Sequence, residues 1–272
     1  MLVMHRKSCL KWCPNDGMKL CRVKHESFAG VRNGLVEDTQ VWLLAESQNF
    51  ENAGFERSHS IPFSSVHLLA PATPSKIVCV GRNYRAHAAE LGNKMPDDPL
   101  LFLKAPSAII GNGGCIRLPP ESAQVEHEGE LGVVIGKQAD KLSPDDDPLS
   151  YVLGYTCVND VTARDLQRKD VQFTRAKSFD TFCPVGPWIE TELDPSSLTV
   201  KTLVNGVEKQ CGHTADMAFS IPFLIRYIAN IMTLFPGDLI VTGTPAGVSP
   251  LHAGDTVAVE IEGIGTLQNS VC

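Results

Sequence analysis

The segment Val125-Glu126-His127-Glu128-Gly129-Glu130-Leu131-Gly132-Val133-Val134-Ile135-Gly136 decides how this chain is read. An acidic start runs directly into an uninterrupted apolar stretch. A second apolar run, Tyr151 to Val158, delivers Asn159-Asp160 and then Thr162-Ala163-Arg164-Asp165. Short apolar runs of this kind predict buried strands. Side chains alternate along a strand, so Glu128 and Glu130 point the same way. Two carboxylates on one face beside an apolar run are costly unless something positive sits between them. Asp160, at the end of the next strand, can complete a three-oxygen set, and hard oxygen ligands suit Mg2+ or Mn2+. An E-x-E pair can equally be a solvated acidic strand face, and Glu126 shares its parity. Spacing alone leaves both readings open.

The rest of the chain narrows the choice. Its 272 residues can bury a sizeable core, and 43% hydrophobic with 20% charged residues describes an ordinary globular protein. A net charge of -7 with no basic stripe argues against nucleic acid as a partner. No apolar run is long enough to span a bilayer, so no membrane partner is expected. The nine cysteines are scattered without a repeated CxxC, and Cys79, Cys115, Cys157 and Cys183 sit in or beside apolar segments like small core residues. Reduced thiols in a cytoplasmic protein are the expectation. No apolar signal-peptide core follows the basic N-terminus, and Cys9 with Cys13 lacks partners for a metal site. Residues 1–17 read as a disordered or upstream extension ahead of a natural start at Met18.

Residues 18–70 predict a small β-rich N-terminal domain, with strands over Leu20–Val23, Gly30–Gly34 and Thr39–Leu44 and a hairpin turn at Asn33-Gly34. Its histidines, His25, His59 and His67, are isolated and read as surface residues. Residues 71–272 form the second domain, opened by the buried strand Lys76–Gly81. An alanine-rich helix follows, ended by Gly92, on which His87 and Glu90 share a face at i, i+3. A carboxylate beside an imidazole fixes its tautomer and raises its basicity, as a general base requires. The loop after it, Lys94 to Pro99, can make this segment a lid. Arg164 and Gln167, one turn apart on a polar helix, can grip a substrate carboxylate. Lys177 lies where a cation could stabilise a developing enolate. Asn205-Gly206 predicts a type I′ hairpin. Ser220 caps a helix whose apolar stripe (Phe223, Leu224, Tyr227, Ile228, Ile231, Met232) reads as core, and Thr242-Gly243-Thr244-Pro245 ends the strand Leu239–Val241 with groups suited to an anionic ligand. A hairpin closes the chain.

Taken together these pieces resemble the fumarylacetoacetate hydrolase family, in particular its smaller acylpyruvase, fumarylpyruvate hydrolase and hydroxyheptadienedioate isomerase members. The matching segments are Val80-Gly81-Arg82-Asn83-Tyr84 with His87, His127-Glu128-Gly129-Glu130-Leu131, Asn159 to Asp165, Ala176-Lys177-Ser178-Phe179, Gly237-Asp238 and Thr242 to Pro245. They occur in the family's order over roughly residues 75–271. The resemblance implies a mixed α+β, β-rich fold with a rolled, barrel-like sheet as catalytic core and a small N-terminal domain. It implies Mg2+ or Mn2+ on Glu128, Glu130 and Asp160, and a lid pair, His87 and Glu90, that activates water. Lys177 matches the active-site lysine. Arg164, Gln167 and Thr244 match positions that contact the substrate carboxylate or oxo oxygens, and Arg82 and Tyr84 fall in a substrate-binding segment. Homodimers are usual in the family. No equivalent can be placed for the extra metal-binding Asp of the eukaryotic tyrosine-pathway enzyme, which points to the smaller subgroup.

The implied activity is metal-dependent hydrolysis of a C–C bond in a small 2,4-dioxo acid, with pyruvate leaving as its enolate. The alternative uses the same chelate without water attack, as an isomerase or a decarboxylase of 2-oxo diacids such as oxaloacetate. A non-catalytic binding module would keep the fold and the metal but would need no water-activating pair.

Overall fold

The two apolar runs that frame the acidic segment become neighbouring strands, Gly129–Ile135 and Val152–Asn159. They pair antiparallel, with Gly129 opposite Asn159 and Leu131 opposite Cys157. Every residue of Gly129–Ile135 is buried, as a continuous apolar run covered on both faces requires. Alternation assigns the faces. Leu131, Val133 and Ile135 join one apolar cluster with Val200, Val259 and Ile261, whereas Val134 joins another with Ile189, Leu239 and Val241.

The computed structural model describes residues 17–45 and 57–272, and within them the central pair belongs to a twelve-stranded sheet. Its order begins with the N-terminal strands Arg57–Pro62, Gln40–Leu44, Arg32–Glu37 and Lys19–Lys24. It continues through Cys183–Glu190, Val152–Asn159 and Gly129–Ile135 to Leu239–Val241, Ile77–Gly81 and Leu100–Lys104. The N-terminal strands thus continue the sheet that carries the acidic segment, joined where Lys19 and Leu20 pair with Glu190 and Ile189. A five-stranded sheet, containing Thr199–Val204, Val207–His213, Thr256–Ile261 and Gly265–Val271, packs over the central strands. Helix α4 (Ile221–Ala229) adds Leu224, Ile225 and Ile228 to the same core. The remaining helices are short: α1 (Arg85–Glu90), α2 (Arg164–Lys169) and α3 (Thr174–Lys177). This is the β-rich mixed architecture that the sequence predicts. Among the described residues no helix is long and apolar enough to cross a membrane. The proposed extension, apart from Gly17, and the pair Cys9 and Cys13 lie outside the described residues.

Three expectations need correction. Asn33-Gly34 is not a turn: both residues lie inside Arg32–Glu37, and the chain reverses at Asp38, whose φ is 50°. Gly34 is required for close approach instead, since a Cβ there would lie 2.7 Å from Val41 Cγ1. The same dipeptide at Asn205-Gly206 does make the predicted turn, with φ of 51° and 76°. The α4 stripe is not wholly core: Phe223 and Ile231 are exposed, and Phe223 stacks on Phe219 and Tyr227. The helix is also shorter than its apolar pattern, and Ser220 occupies the cap position without a side-chain hydrogen bond. Finally, Cys115 is not a free thiol. It forms a disulfide with Cys272, because the strand Cys115–Ile116 runs parallel to the end of Gly265–Val271 and brings the two Cα atoms to 6.1 Å.

One buried carboxylate locks Ser75 and Lys76, just ahead of the strand Ile77–Gly81, to the core. Asp238 accepts hydrogen bonds from Ser75 N (3.0 Å), Ser75 Oγ (2.7 Å), Lys76 N (3.1 Å) and Phe235 N (2.8 Å), and pairs with Lys76 Nζ. Those bonds hold the strand Ile77–Gly81 in register beside Leu239–Val241.

Candidate active site

The paired strands Gly129–Ile135 and Val152–Asn159 end together, and their ends carry the acidic residues. Asp160 N donates to Glu128 O at 2.8 Å, and Asn159 Oδ1 accepts from Glu128 N at 3.0 Å. Glu128 and Asp160 are thereby fixed on either side of the strand boundary. Gly129 between the two glutamates has a steric reason, because a Cβ there would fall 2.0 Å from Thr202 Oγ1. Ligand oxygens from Glu128, Glu130 and Asp160, all buried, lie within 4.8 Å of one another.

Three cations surround this cluster. Lys177 Nζ, at the end of α3, donates to Glu128 Oε2 and Asp160 Oδ2, both at 2.7 Å. Lys104 Nζ, fully buried at the end of Leu100–Lys104, donates to Asp160 Oδ1 at 2.6 Å and to Val161 O at 3.1 Å. Arg164, at the start of α2, donates from Nε to Glu126 Oε2 (2.7 Å), from Nη1 to Gln167 Oε1 (2.6 Å) and from Nη2 to Glu128 Oε1. Glu126 is therefore neither a ligand nor a solvated edge. It aims the Arg164 guanidinium.

The charges are unevenly balanced. Burial alone would raise the Glu128 carboxyl, but Lys177 and Arg164 outweigh it and hold Glu128 well below the usual carboxylate range. Burial, with Asp160 and Glu128 as like-charged neighbours, drives Glu130 in the opposite direction, well above it. The backbone N–H of Gly243 is its hydrogen-bond donor. Lys177 keeps its proton: burial disfavours the charge, and Asp160 and Glu128 more than restore it. Three converging oxygen donors, one of them electrostatically frustrated, fit a hard divalent cation. Such an ion would relieve the repulsion that Glu130 feels.

A cavity of about 290 Å³ opens over the triad. Besides Glu128, Glu130, Asp160 and Lys177, its lining includes His87, Arg82, Arg164, Gln167 and Thr244, so most of the predicted site residues converge there. Glu90 does not line it. Its carboxylate sits 3.3 Å from His87 Nδ1 and accepts from Gly247 N at 3.0 Å, tying the imidazole and α1 to the loop after Thr244. Tyr84 departs from its predicted place at the substrate. It lines a separate recess with Cys211 and Met217, and its buried hydroxyl has no partner. Tyr84 bridges to Met217 and immediately precedes α1.

Sequence reasoning missed several supporting residues. A lysine ending the apolar run Leu100–Lys104 is a detectable signal, since such a charge must be paired. Asn83 lay in a matching segment but was given no role, yet its amide bonds Thr242 O (2.8 Å), Phe219 O (3.1 Å) and Phe219 N (2.8 Å) and so fastens the Arg82 turn to the Thr242–Thr244 segment. Gly243 there, at φ 101°, also lies too close to Asn83 for a side chain.

Comparisons with known proteins agree with this geometry. The family model for the fumarylacetoacetate (FAA) hydrolase C-terminal region matches residues 76–272. The Mycobacterium tuberculosis protein Rv2993c is 54% identical over 248 residues, covering 90% of this chain and 93% of that protein. The oxaloacetate tautomerase YisK of Bacillus subtilis is 41% identical over 240 residues, covering 84% and 79%. Among solved structures, the 2-hydroxyhepta-2,4-diene-1,7-dioate isomerase of Mycobacterium marinum superimposes with a TM-score of 0.85 at 43% identity, covering 93% of this chain and 98% of that one. The chain belongs to the fumarylacetoacetate hydrolase family.

Proposed function

We propose that this protein is a divalent-metal-dependent tautomerase or isomerase of small 2-oxo diacids, interconverting enol and keto forms. The observation that carries the reading is one histidine, His87, lining the same small cavity as a carboxylate triad and two fixed cations. The similarity to an oxaloacetate tautomerase and to a dienedioate isomerase supports it. It favours enolisation over the C–C bond hydrolysis that the sequence put first.

Glu128, Glu130 and Asp160 would hold Mg2+ or Mn2+, which would supply Lewis acidity to oxygens of the bound acid. Arg164, oriented by Glu126 and joined to Gln167, binds a carboxylate and sets the register of the substrate. His87, steadied by Glu90, moves the proton to and from C3. Lys177 stays cationic and offsets negative charge as the enolate develops. Phe102, whose ring lies 5.0 Å from Lys177 Nζ, shields that cation from water.

A second reading, hydrolysis of acylpyruvates, rests on the His87–Glu90 pair, which is also what water activation needs. One experiment separates the two. The ultraviolet absorbance of enol-oxaloacetate is followed with Mg2+, Mn2+ or EDTA, beside pyruvate release from acetylpyruvate and fumarylpyruvate. Metal-dependent ketonisation above the buffer rate, lost in His87→Ala, is the expected result. Pyruvate release without ketonisation would replace the proposal with the hydrolase. Neither activity, with metal bound, would overturn both.

A further inference from the structure

The cations that line the cavity fall into two groups. Lys177 and Arg164 are buried on its floor, and each is bonded to the triad carboxylate Glu128. Arg82, half-buried, and Arg168, exposed, line the same cavity, and among the described residues neither pairs with a carboxylate. Arg168 lies four positions after Arg164 on α2, hence on the same face and about 6 Å further along the helix axis. The floor cations are already matched by the protein's own carboxylates. The outer ones are not.

Of the two outer arginines, Arg168 is held in place. Its Nη2 donates to Gln124 Oε1 at 2.5 Å, and Gln124 Nε2 donates to Glu126 Oε1 at 2.6 Å. A guanidinium only donates and an ionised carboxylate only accepts, so the Gln124 amide has one orientation. Glu126 in turn accepts from Arg164 Nε at 2.7 Å, and a single relay thereby ties the outer arginine to the inner one. The tether is a neutral amide, so it fixes Arg168 without compensating its charge, and it leaves most of the guanidinium N–H groups without a partner. A long side chain already held gives up less rotamer freedom when it takes an anion. Arg82 has no such tether among the described residues.

The lining also carries an apolar wall that leads outward from the floor. Phe102 lies over Lys177 Nζ, and Phe173 meets Phe102 edge-on with ring centres 5.6 Å apart. Leu100 and the exposed Leu91 line the cavity with them. A charged floor, an apolar wall and an unpaired outer guanidinium together complement an acid with a 2-oxo acid at one end, a hydrocarbon segment and a carboxylate at the other. We infer that Arg168 is a specificity-determining residue that receives the second carboxylate of such a diacid while the 2-oxo acid end occupies the floor. This rests on the reading of the cavity as a site for small 2-oxo diacids. It assigns the outer carboxylate to a residue that lies outside every segment carrying the family resemblance.

The test is equilibrium binding, independent of turnover. 2-Oxoadipate and 2-oxohexanoate have the same chain length and differ in the distal carboxylate, and pyruvate has the 2-oxo acid end alone. All three are titrated calorimetrically into the Mg2+-loaded wild type, Arg168→Gln and Arg82→Gln. Wild type should bind 2-oxoadipate about 3- to 10-fold more tightly than 2-oxohexanoate, as expected for a charge-assisted hydrogen bond at a partly exposed site. Arg168→Gln should erase that preference and leave pyruvate unchanged. Arg82→Gln, which removes the same charge from the same cavity, should keep it. A wild type without the preference, an Arg168→Gln protein that retains it or binds all three acids equally weakly, or a preference lost in Arg82→Gln alone would overturn the inference. Selective loss of 2-oxoadipate affinity in Arg168→Gln without any ketonisation activity would sustain it while removing the tautomerase reading. Failure of all three acids to bind the wild type would overturn both.

Discussion

Two buried carboxylate sites in this protein look alike in composition and behave oppositely. Asp238 sits in a lock of Ser75, Lys76 and Phe235, where five donors converge on its two oxygens. Burial works against its charge, but the Lys76 and backbone bonds outweigh burial and hold the carboxyl below its ordinary range. At the Glu128–Glu130–Asp160 cluster three carboxylates share Lys177, Lys104 and Arg164, and the share is unequal: Glu128 is held low and Glu130 is pushed high. A saturated carboxylate is structural. A cluster whose cations serve two of its carboxylates and leave the third without one is a binding site that leaves part of its electrostatics to a ligand.

The sharpest way to break this contrast is to remove one oxygen ligand. Glu130→Gln or Asp160→Asn should lose metal affinity and turnover by more than the roughly 10- to 100-fold that loss of an outer partner of a metal ligand costs; metal titration and the ketonisation assay check this together. Next comes His87→Ala. Its activity should fall about 100- to 10,000-fold, the usual contribution of a general base, with metal affinity close to wild type because the side-chain partner of His87 is Glu90 and not a triad oxygen. A parallel loss of metal would place His87 among the ligands.

The smallest effect belongs to the lock. Asp238→Asn should cost about 1–3 kcal/mol in denaturant unfolding at neutral pH, the cost of leaving buried donors poorly matched. The pH dependence has a definite sign. A folded pKa below the unfolded value of about 4 means that the Asp238 contribution is complete above that value and is lost as pH falls through the folded one. Wild type should therefore lose more stability than Asp238→Asn on acidification below about pH 4, and the two unfolding curves should converge.

The contrast also explains what the sequence could and could not disclose. The triad was legible because its parts are local: Glu128 and Glu130 straddle one glycine, Asp160 ends the adjacent apolar run, and His87 lies one helical turn from Glu90. The supporting shell was not, because it is assembled from distant strands. Gln210, whose Oε1 accepts from Gly129 N, is separated from it by 81 positions, and Asn83 from Thr242 by 159. Lys104 stood in plain view as a charge closing an apolar strand, but its partner Asp160 lies 56 positions away. The Asn33-Gly34 reading failed for a different reason. The dipeptide signals positive φ only when the flanking strands reverse there, and here one strand runs straight through, pairing on both sides. Tyr84 was assigned to the substrate through its matching segment, whereas it lines the recess with Cys211 and Met217.

The measurement that most directly tests the uneven-charge interpretation is thermal unfolding of wild type, Glu130→Gln and Asp238→Asn at neutral pH, each in EDTA and in excess Mn2+. In EDTA, Glu130→Gln should be at least as stable as wild type, since it removes a carboxylate repelled by two neighbours, whereas Asp238→Asn should be less stable. Mn2+ should stabilise wild type and Asp238→Asn by linkage, by about 2.7 kcal/mol at 100 times the dissociation constant, and so raise their midpoints while leaving that of Glu130→Gln unmoved. A Glu130→Gln protein that is destabilised in EDTA and still stabilised by Mn2+ would contradict the assignment of the triad as an incomplete, metal-completed site.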